Sequence, residues 1–181
     1  MTAANLRSAF AGESMAHMRY MVWAERAELE KFPNVGRLFR AISRAEQAHA
    51  TGHFKAMGGV GGDFLVAAGG GFGYSKTSDN LQGAIDGELF EVNEMYPAYL
   101  EVAKAQKEAA GIRSMTYAIE AEKVHAAMYQ KAKKAVDSGK DAALGDVQIC
   151  TVCGYTAEGG LPDSCPICKA KKRFFVTFAC Q

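Results

Sequence analysis

Ala45-Glu46-Gln47-Ala48-His49-Ala50 returns 76 positions later as Ala121-Glu122-Lys123-Val124-His125-Ala126. In each copy a glutamate precedes a histidine by three residues. On an α-helix that spacing puts both side chains on one face, where a carboxylate oxygen and an imidazole nitrogen can reach one ion. A second echo, Gly12-Glu13 and Gly87-Glu88, has an offset of 75. The chain therefore reads as two helical hairpins carrying the same polar residues at matching places, packed about a pseudo-twofold axis so that two half-sites meet.

The apolar pattern around these motifs is helical. Leu6, Phe10, Glu13, His17, Tyr20, Ala24 and Ala27 alternate spacings of three and four, which predicts a first helix running to about Lys31. Pro33 breaks it, and Asn34 is placed to cap a second helix through Leu38, Ile42, Glu46, His49 and His53 that ends at Gly58-Gly59. Residues 58–78, with Gly69-Gly70-Gly71, read as a flexible crossover. Asn80 opens a third helix through Ile85, Glu88, Glu91, Met95 and Val102, which Pro97 is expected to kink. A fourth, after Gly111, carries Met115, Ala118, Glu122, His125 and Tyr129 and stops near Gly139. Four long helices with one long middle connection give a mainly α fold, a ferritin-like four-helix bundle over residues 1–139.

Each helix places a glutamate on the stripe that should be apolar. A buried carboxylate is costly unless it is paired or takes up a proton, so several facing one core require cations. Glu46 with His49 and Glu122 with His125 make two ligand pairs, and Glu13 and Glu88 add a terminal carboxylate to each half-site. Oxygen ligands with one imidazole per metal, and no thiolate, suit iron or manganese better than copper. His17 and His53 lie near the stripes without counterparts in the other repeat, and read as supporting or core histidines.

No cysteine occurs in the first 149 residues; Cys150, Cys153, Cys165, Cys168 and Cys180 follow. Two Cys-x-x-Cys pairs separated by eleven residues can enclose one metal tetrahedrally, so residues 147–181 read as a small metal-binding domain. Iron and structural zinc both fit four thiolates. Tyr155, Phe174, Phe175 and Phe178 are the candidates for its miniature core, Lys171, Lys172 and Arg173 for a solvated face, and Cys180 is left over. Such clustered thiols belong in a reducing compartment. The net charge of +1 gives no footprint for nucleic acid or an anionic membrane, and no stretch approaches the roughly 20 apolar residues that span a bilayer. A cytoplasmic protein acting on a small diffusible substrate is the expectation.

Phe10-Ala11-Gly12-Glu13-Ser14, the two Glu-x-x-His pairs, and Gly87-Glu88-Leu89-Phe90-Glu91 followed by Met95-Tyr96-Pro97 resemble the rubrerythrin pattern. Cys150-Thr151-Val152-Cys153-Gly154-Tyr155 and Cys165-Pro166-Ile167-Cys168 are similar to rubredoxin. The resemblance implies a non-haem di-iron peroxidase that reduces hydrogen peroxide to water. Its ligand set would be Glu13, Glu46, His49, Glu88, Glu91, Glu122 and His125, with Tyr20 and Tyr96 beside the site and one further iron, or zinc, on Cys150, Cys153, Cys165 and Cys168. Glu91 has no counterpart in the first repeat, where Ala16 stands. In the family this extra carboxylate exchanges with the histidine at one iron, which here sets Glu91 against His49. Lys169 replaces the glycine usual after the second knuckle, a departure that stores strain if the position needs positive φ.

The resemblance also implies electrons from an external donor, a rubredoxin or an NAD(P)H-dependent reductase. It implies a homodimer or larger assembly, domain-swapped or not, in which the cysteine domain serves a neighbouring chain. A ferritin-like ferroxidase and a non-catalytic bundle bearing a zinc ribbon are the alternatives.

Overall fold

The computed structural model describes residues 1–180. Helices α1 (Thr2–Leu29) and α2 (Pro33–Ala56) form one hairpin. Helix α3 (Thr77–Phe90), a π-helical turn (Glu91–Met95) and α4 (Tyr96–Ala105) run on as one rod, and α5 (Ala109–Asp137) completes the second hairpin. The result is a ferritin-like four-helix bundle, and none of its helices is long and apolar enough to cross a membrane.

Two helix starts differ from the sequence reading. Helix α1 ends at Leu29, where Lys31 takes φ 69°, and α2 begins at Pro33 itself, whose missing N–H costs nothing in a first turn. Asn34 is therefore inside the helix and is not its cap. The cap comes from far along the chain: Asp141 accepts from the backbone N–H of Asn34 (2.9 Å) and of Val35 (3.3 Å). Asn80 likewise lies a turn inside α3, which starts at Thr77 where Glu30 accepts from the Thr77 N–H. Its amide instead brackets Ser75, accepting from that residue's N–H and donating to its carbonyl.

The third rod is interrupted by the π-helical turn, a turn earlier than the expected kink at Pro97, and the proline sits harmlessly in the first turn of α4. A π turn holds one residue more than an α turn, which explains why the internal repeat drifts. Glu13 maps to Glu88 with an offset of 75, whereas Tyr20 maps to Tyr96 and Glu46 to Glu122 with 76.

The glycine-rich crossover lies on α1. Ser8 donates to the Ala67 carbonyl, the Trp23 indole to Gly73, and the Arg7 guanidinium stacks over Phe64 at 4.0 Å.

The C-terminal region is a three-stranded antiparallel sheet, β1 (Val147–Cys150) between β2 (Thr156–Glu158) and β3 (Phe175–Phe178). It is sewn to the bundle. Ala142, Leu144, Val147 and Ile149 share one apolar core with α1, α2, α3 and α5, and burying a side chain such as Val147 or Ile149 contributes about 1.5–3 kcal/mol. Arg37 on α2 donates to the carbonyls of Leu144, Gly145 and Phe178. The expected miniature core is accordingly corrected. Tyr155 and Phe175 pack on the cysteines with Ile167, Ala170 and Tyr117 from α5, whereas Phe178 joins the bundle core and Phe174 is exposed. Lys171, Lys172 and Arg173 are exposed.

Candidate metal centres

Helix α1 contributes Glu13, α2 Glu46 and His49, α3 Glu88, and α5 Glu122 and His125, all buried to 3% exposure or less. Their ligand atoms form two overlapping groups, each within 4.8 Å: Glu13, Glu46, His49 and Glu122, and Glu46, Glu88, Glu122 and His125. Glu46 and Glu122 belong to both, and Glu13 and Glu88 each to one.

The outward nitrogens of the histidines fix their tautomers. His49 Nε2 lies 3.1 Å from the Cys153 carbonyl, and His125 Nε2 lies 3.2 Å from the Gly154 carbonyl and 2.9 Å from Thr156 Oγ1. A carbonyl only accepts, and the Thr156 hydroxyl is engaged in donating to Gly154, so each Nε2 carries the proton. When the ring is neutral, as metal ligation requires, it turns a bare Nδ1 lone pair inward. For His49, Nδ1 faces Glu122 at 2.7 Å, Glu46 at 3.0 Å and Glu13 at 3.7 Å; for His125 it faces Glu122 at 2.7 Å, Glu46 at 3.5 Å and Glu88 at 3.6 Å. Lone pairs facing carboxylates repel unless a cation lies among them.

Three buried oxygens, Glu13 Oε2, Glu46 Oε1 and Glu88 Oε2, also lack hydrogen-bond partners among the described residues, and a fourth, Glu122 Oε1, faces only His49 Nδ1 at 2.7 Å. Orphaned acceptors of this kind are rare in folded proteins. Without cations the box must hold protons. Burial, then the charge of Glu88, raises the pKa of Glu46; burial, then Glu46 and Glu88, drives Glu122 well above the carboxylate range. Burial works the same way on Glu13 and Glu88 but is outweighed, by His49 and His53 at Glu13 and by Glu122, His125 and Tyr20 at Glu88, so both are lowered. Burial acts to depress both imidazoles, and Glu122 overcomes it, pushing them well above their usual range. Two divalent cations would displace these protons, which is the behaviour of a metal site. The residues fit a di-metal centre.

Glu91 stands outside both groups. It opens the π-helical turn, half-buried, and lines a cavity of about 450 Å³ with Gly12, Gly87, Tyr99 and the crossover glycines. Burial, then the charges of Glu13, Glu122, Glu88 and Glu46, raises its pKa well above the carboxylate range, so it feels the whole box. Tyr20 donates to Glu88 at 2.7 Å and Tyr96 donates to Glu13, a matched pair in which each hairpin's tyrosine steadies the other hairpin's terminal glutamate.

In the cysteine cluster the Sγ atoms of Cys150, Cys153, Cys165 and Cys168 lie within 4.8 Å of one another. Each pair sits on a knuckle closed by a backbone bond, Gly154 N–H to Cys150 and Lys169 N–H to Cys165, and both closing residues have positive φ, 76° and 62°. The strain expected at Lys169 is therefore present. Hydrogen bonds from Cys150 and Cys153 pull the Cys165 thiol down to about 2, while contact with Cys150 and Cys165 drives Cys153 above the thiol range. Such unequal sharing of protons suits thiols arranged for one metal.

The first knuckle rests on this chain's own His49 and His125. The reason is the short connection 138–146 and the anchoring of β1 in the bundle core. Sequence reasoning missed the carbonyls of Cys153 and Gly154 and the hydroxyls of Thr156 and Ser114. No pattern marks a backbone carbonyl as a partner. His53 had a findable signal: it follows His49 by four residues as Tyr129 follows His125, so the two are counterparts.

The Rubrerythrin family model matches residues 4–133, and the rubrerythrin rubredoxin-like domain matches residues 148–176. Rubrerythrin-2 of Clostridium acetobutylicum is 49% identical over 178 residues, covering 98% of this chain and 97% of that protein. Nigerythrin of Nitratidesulfovibrio vulgaris is 30% identical, covering 98% of this chain and 86% of its own. A solved structure of fully reduced, all-ferrous nigerythrin superposes with a TM-score of 0.85 at 29% identity, covering 98% of this chain and 86% of that one.

Proposed function

The chain belongs to the rubrerythrin family, and from that premise we propose that it is a non-haem di-iron peroxidase that reduces hydrogen peroxide to water with electrons passed through its rubredoxin-like iron. The observation that carries the reading is the pairing of two donor sets. The carboxylate box has four buried oxygens that need cations, and the cysteine knuckle's carbonyls bond the far nitrogens of both its histidines. Glu13, Glu46, His49, Glu88, Glu122 and His125 would hold two irons, with Glu91 as an additional carboxylate, and the four cysteines a third iron. When bound, two ferrous ions supply one electron each, so the O–O bond can take both together.

The protein's part is positional. Cys153 and Gly154 hold the imidazoles with Nδ1 inward, and Tyr20 and Tyr96 fix the terminal carboxylates. Near-complete burial of the six side chains keeps bulk water out, and Glu91 is the carboxylate presented to a cavity. A small oxidant therefore approaches from the Glu91 side, opposite the knuckle. Because Cys153 is at once a thiolate donor and the residue whose carbonyl meets His49, one residue and one hydrogen bond join the two centres. A reductant outside the chain, a rubredoxin or an NAD(P)H-dependent reductase, recharges them, and clustered thiols suit a reducing cytoplasm.

The test replaces Cys150 with serine. Chemically reduced beforehand, the variant is expected to consume about one peroxide per di-iron site while donor-driven turnover fails. Equal loss of single and repeated turnover would make the cysteine cluster a structural staple. Consumption of added ferrous iron without use of reductant would make the bundle a ferroxidase.

A further inference from the structure

We propose that Ser114, His53 and Tyr96 form a directional proton relay from a basic surface cleft to the Glu13 carboxylate. The inference rests on the peroxidase reading, because reducing one hydrogen peroxide to two waters consumes two electrons and two protons, and the Glu13 carboxylate is itself fully buried.

Four groups are joined in sequence. Ser114 Oγ lies 2.9 Å from His53 Nδ1, His53 Nε2 lies 2.8 Å from the Tyr96 hydroxyl, and that hydroxyl donates to Glu13 Oε1. The chemistry of the groups fixes every direction. An ionised carboxylate only accepts, so Tyr96 gives its one proton to Glu13 and its oxygen must accept from His53. His53 therefore carries its proton on Nε2, leaving Nδ1 to accept from the Ser114 hydroxyl. All three hydrogen bonds point inward.

The outer end is accessible and the inner end is not. Ser114 lines a cleft of about 210 Å³ with the cationic side chains of Lys55 and Arg113, both exposed, and Tyr117. His53, Tyr96 and Glu13 are completely buried. The glycine at position 52 keeps this end clear, since a Cβ there would sit 3.0 Å from Ser114 Oγ. In one pass Glu13 Oε1 gains the Tyr96 proton, Tyr96 takes the one on His53 Nε2, His53 Nδ1 takes the serine proton, and Ser114 takes one from water in the cleft. The relay thus moves one proton and no electrons, and it leaves His53 protonated on Nδ1.

The other half-site shows what is missing without a histidine. Tyr20 donates to Glu88 as Tyr96 does to Glu13, but the counterpart of His53 is Tyr129, buried, with a hydroxyl that finds no hydrogen-bond partner among the described residues. One hairpin is wired to the surface and the other ends blind.

Two measurements test the relay. In protein loaded with zinc and labelled with nitrogen-15 histidine, His53 is expected as the neutral Nε2–H tautomer. The Nδ1–H tautomer, or a protonated ring at neutral pH, overturns the proposal whatever the turnover results. In stopped-flow oxidation of the chemically reduced holoprotein by peroxide, Ser114→Ala and His53→Ala are each expected to slow the reaction at least about tenfold. Iron content should be unchanged and the solvent isotope effect larger, with the double variant no slower than His53→Ala and imidazole restoring rate to His53→Ala. Tyr129→Phe is expected to match wild type. Unchanged rates and isotope effects in both relay variants, or a slow His53→Ala that imidazole does not rescue, overturn it. If wild-type protein ignores peroxide altogether, the peroxidase reading falls and the tautomer alone judges the relay.

Discussion

The two hairpins of the bundle carry the same four-part kit: a terminal glutamate, a Glu-x-x-His pair, and a tyrosine that reaches across to the other hairpin's glutamate. They differ in what surrounds it. The second hairpin has one extra residue in its π-helical turn, and with it Glu91 opposite Ala16; the first has His53 and its path to solvent opposite the blind Tyr129. A duplicated scaffold thus gives each half-site one terminal glutamate and one Glu-x-x-His pair, and on the proposed reading single-residue departures make one side the approach for oxidant and the other the approach for protons. π-helical turns recur at functional sites because they re-aim a side chain without ending the helix.

The largest expected effect tests the shared core of the kit. Glu122 belongs to both ligand groups, so Glu122→Ala should strip both irons from the bundle, whereas Glu13→Ala or Glu88→Ala should each leave the opposite half-site able to hold one; metal analysis per chain distinguishes them. Equal loss in all three would mean that the halves do not bind independently.

Next comes the contact between knuckle and histidines. A Cβ on Gly154 would fall 2.0 Å from His49 Nε2, and the position has φ 76°. Gly154→Ala must lift the knuckle, and a displacement on the order of 1 Å can cost about a hundredfold in rate. Donor-driven turnover should fall by one to two orders of magnitude, roughly, while single-turnover oxidation of reduced protein falls far less. Equal losses would place the damage in the bundle.

A smaller effect is expected at the asymmetry itself. Glu91→Ala should keep both irons, held by the six remaining side chains, and slow the peroxidase cycle; wild-type turnover, or iron loss, would remove Glu91 from the site. Smallest is the comparison of the two knuckles. Lys169→Gly should relieve the strain of a lysine at φ 62° and raise stability by about 1 kcal/mol, read as a higher melting temperature with activity unchanged.

Much of this was legible in the chain. Periodicity gave the four long helices, because an amphipathic stripe is local information, and a glutamate on such a stripe advertises a cation wherever the helix ends up. The repeat paired Glu46 with Glu122 and His49 with His125, and the cysteine spacing declared one tetrahedral metal. Asn34 and Asn80, which the sequence points to as helix caps, lie inside their helices, because the group that caps α2, Asp141, is a long-range partner, and Asn80 serves a loop instead.

The sequence by itself determined which residue types could bind metal and at what helical spacing, since ligand chemistry and periodicity travel with the residues. The tertiary structure alone decided what those atoms are connected to. The knuckle meets its own bundle because β1 is buried against α2, and the imidazole tautomers follow from two backbone carbonyls that any sequence would possess. His53 became a link in a chain only when Ser114 of α5 and Tyr96 of α4 folded to either side of it. Contacts of that kind depend on distances between remote segments, and no local pattern of side chains encodes them.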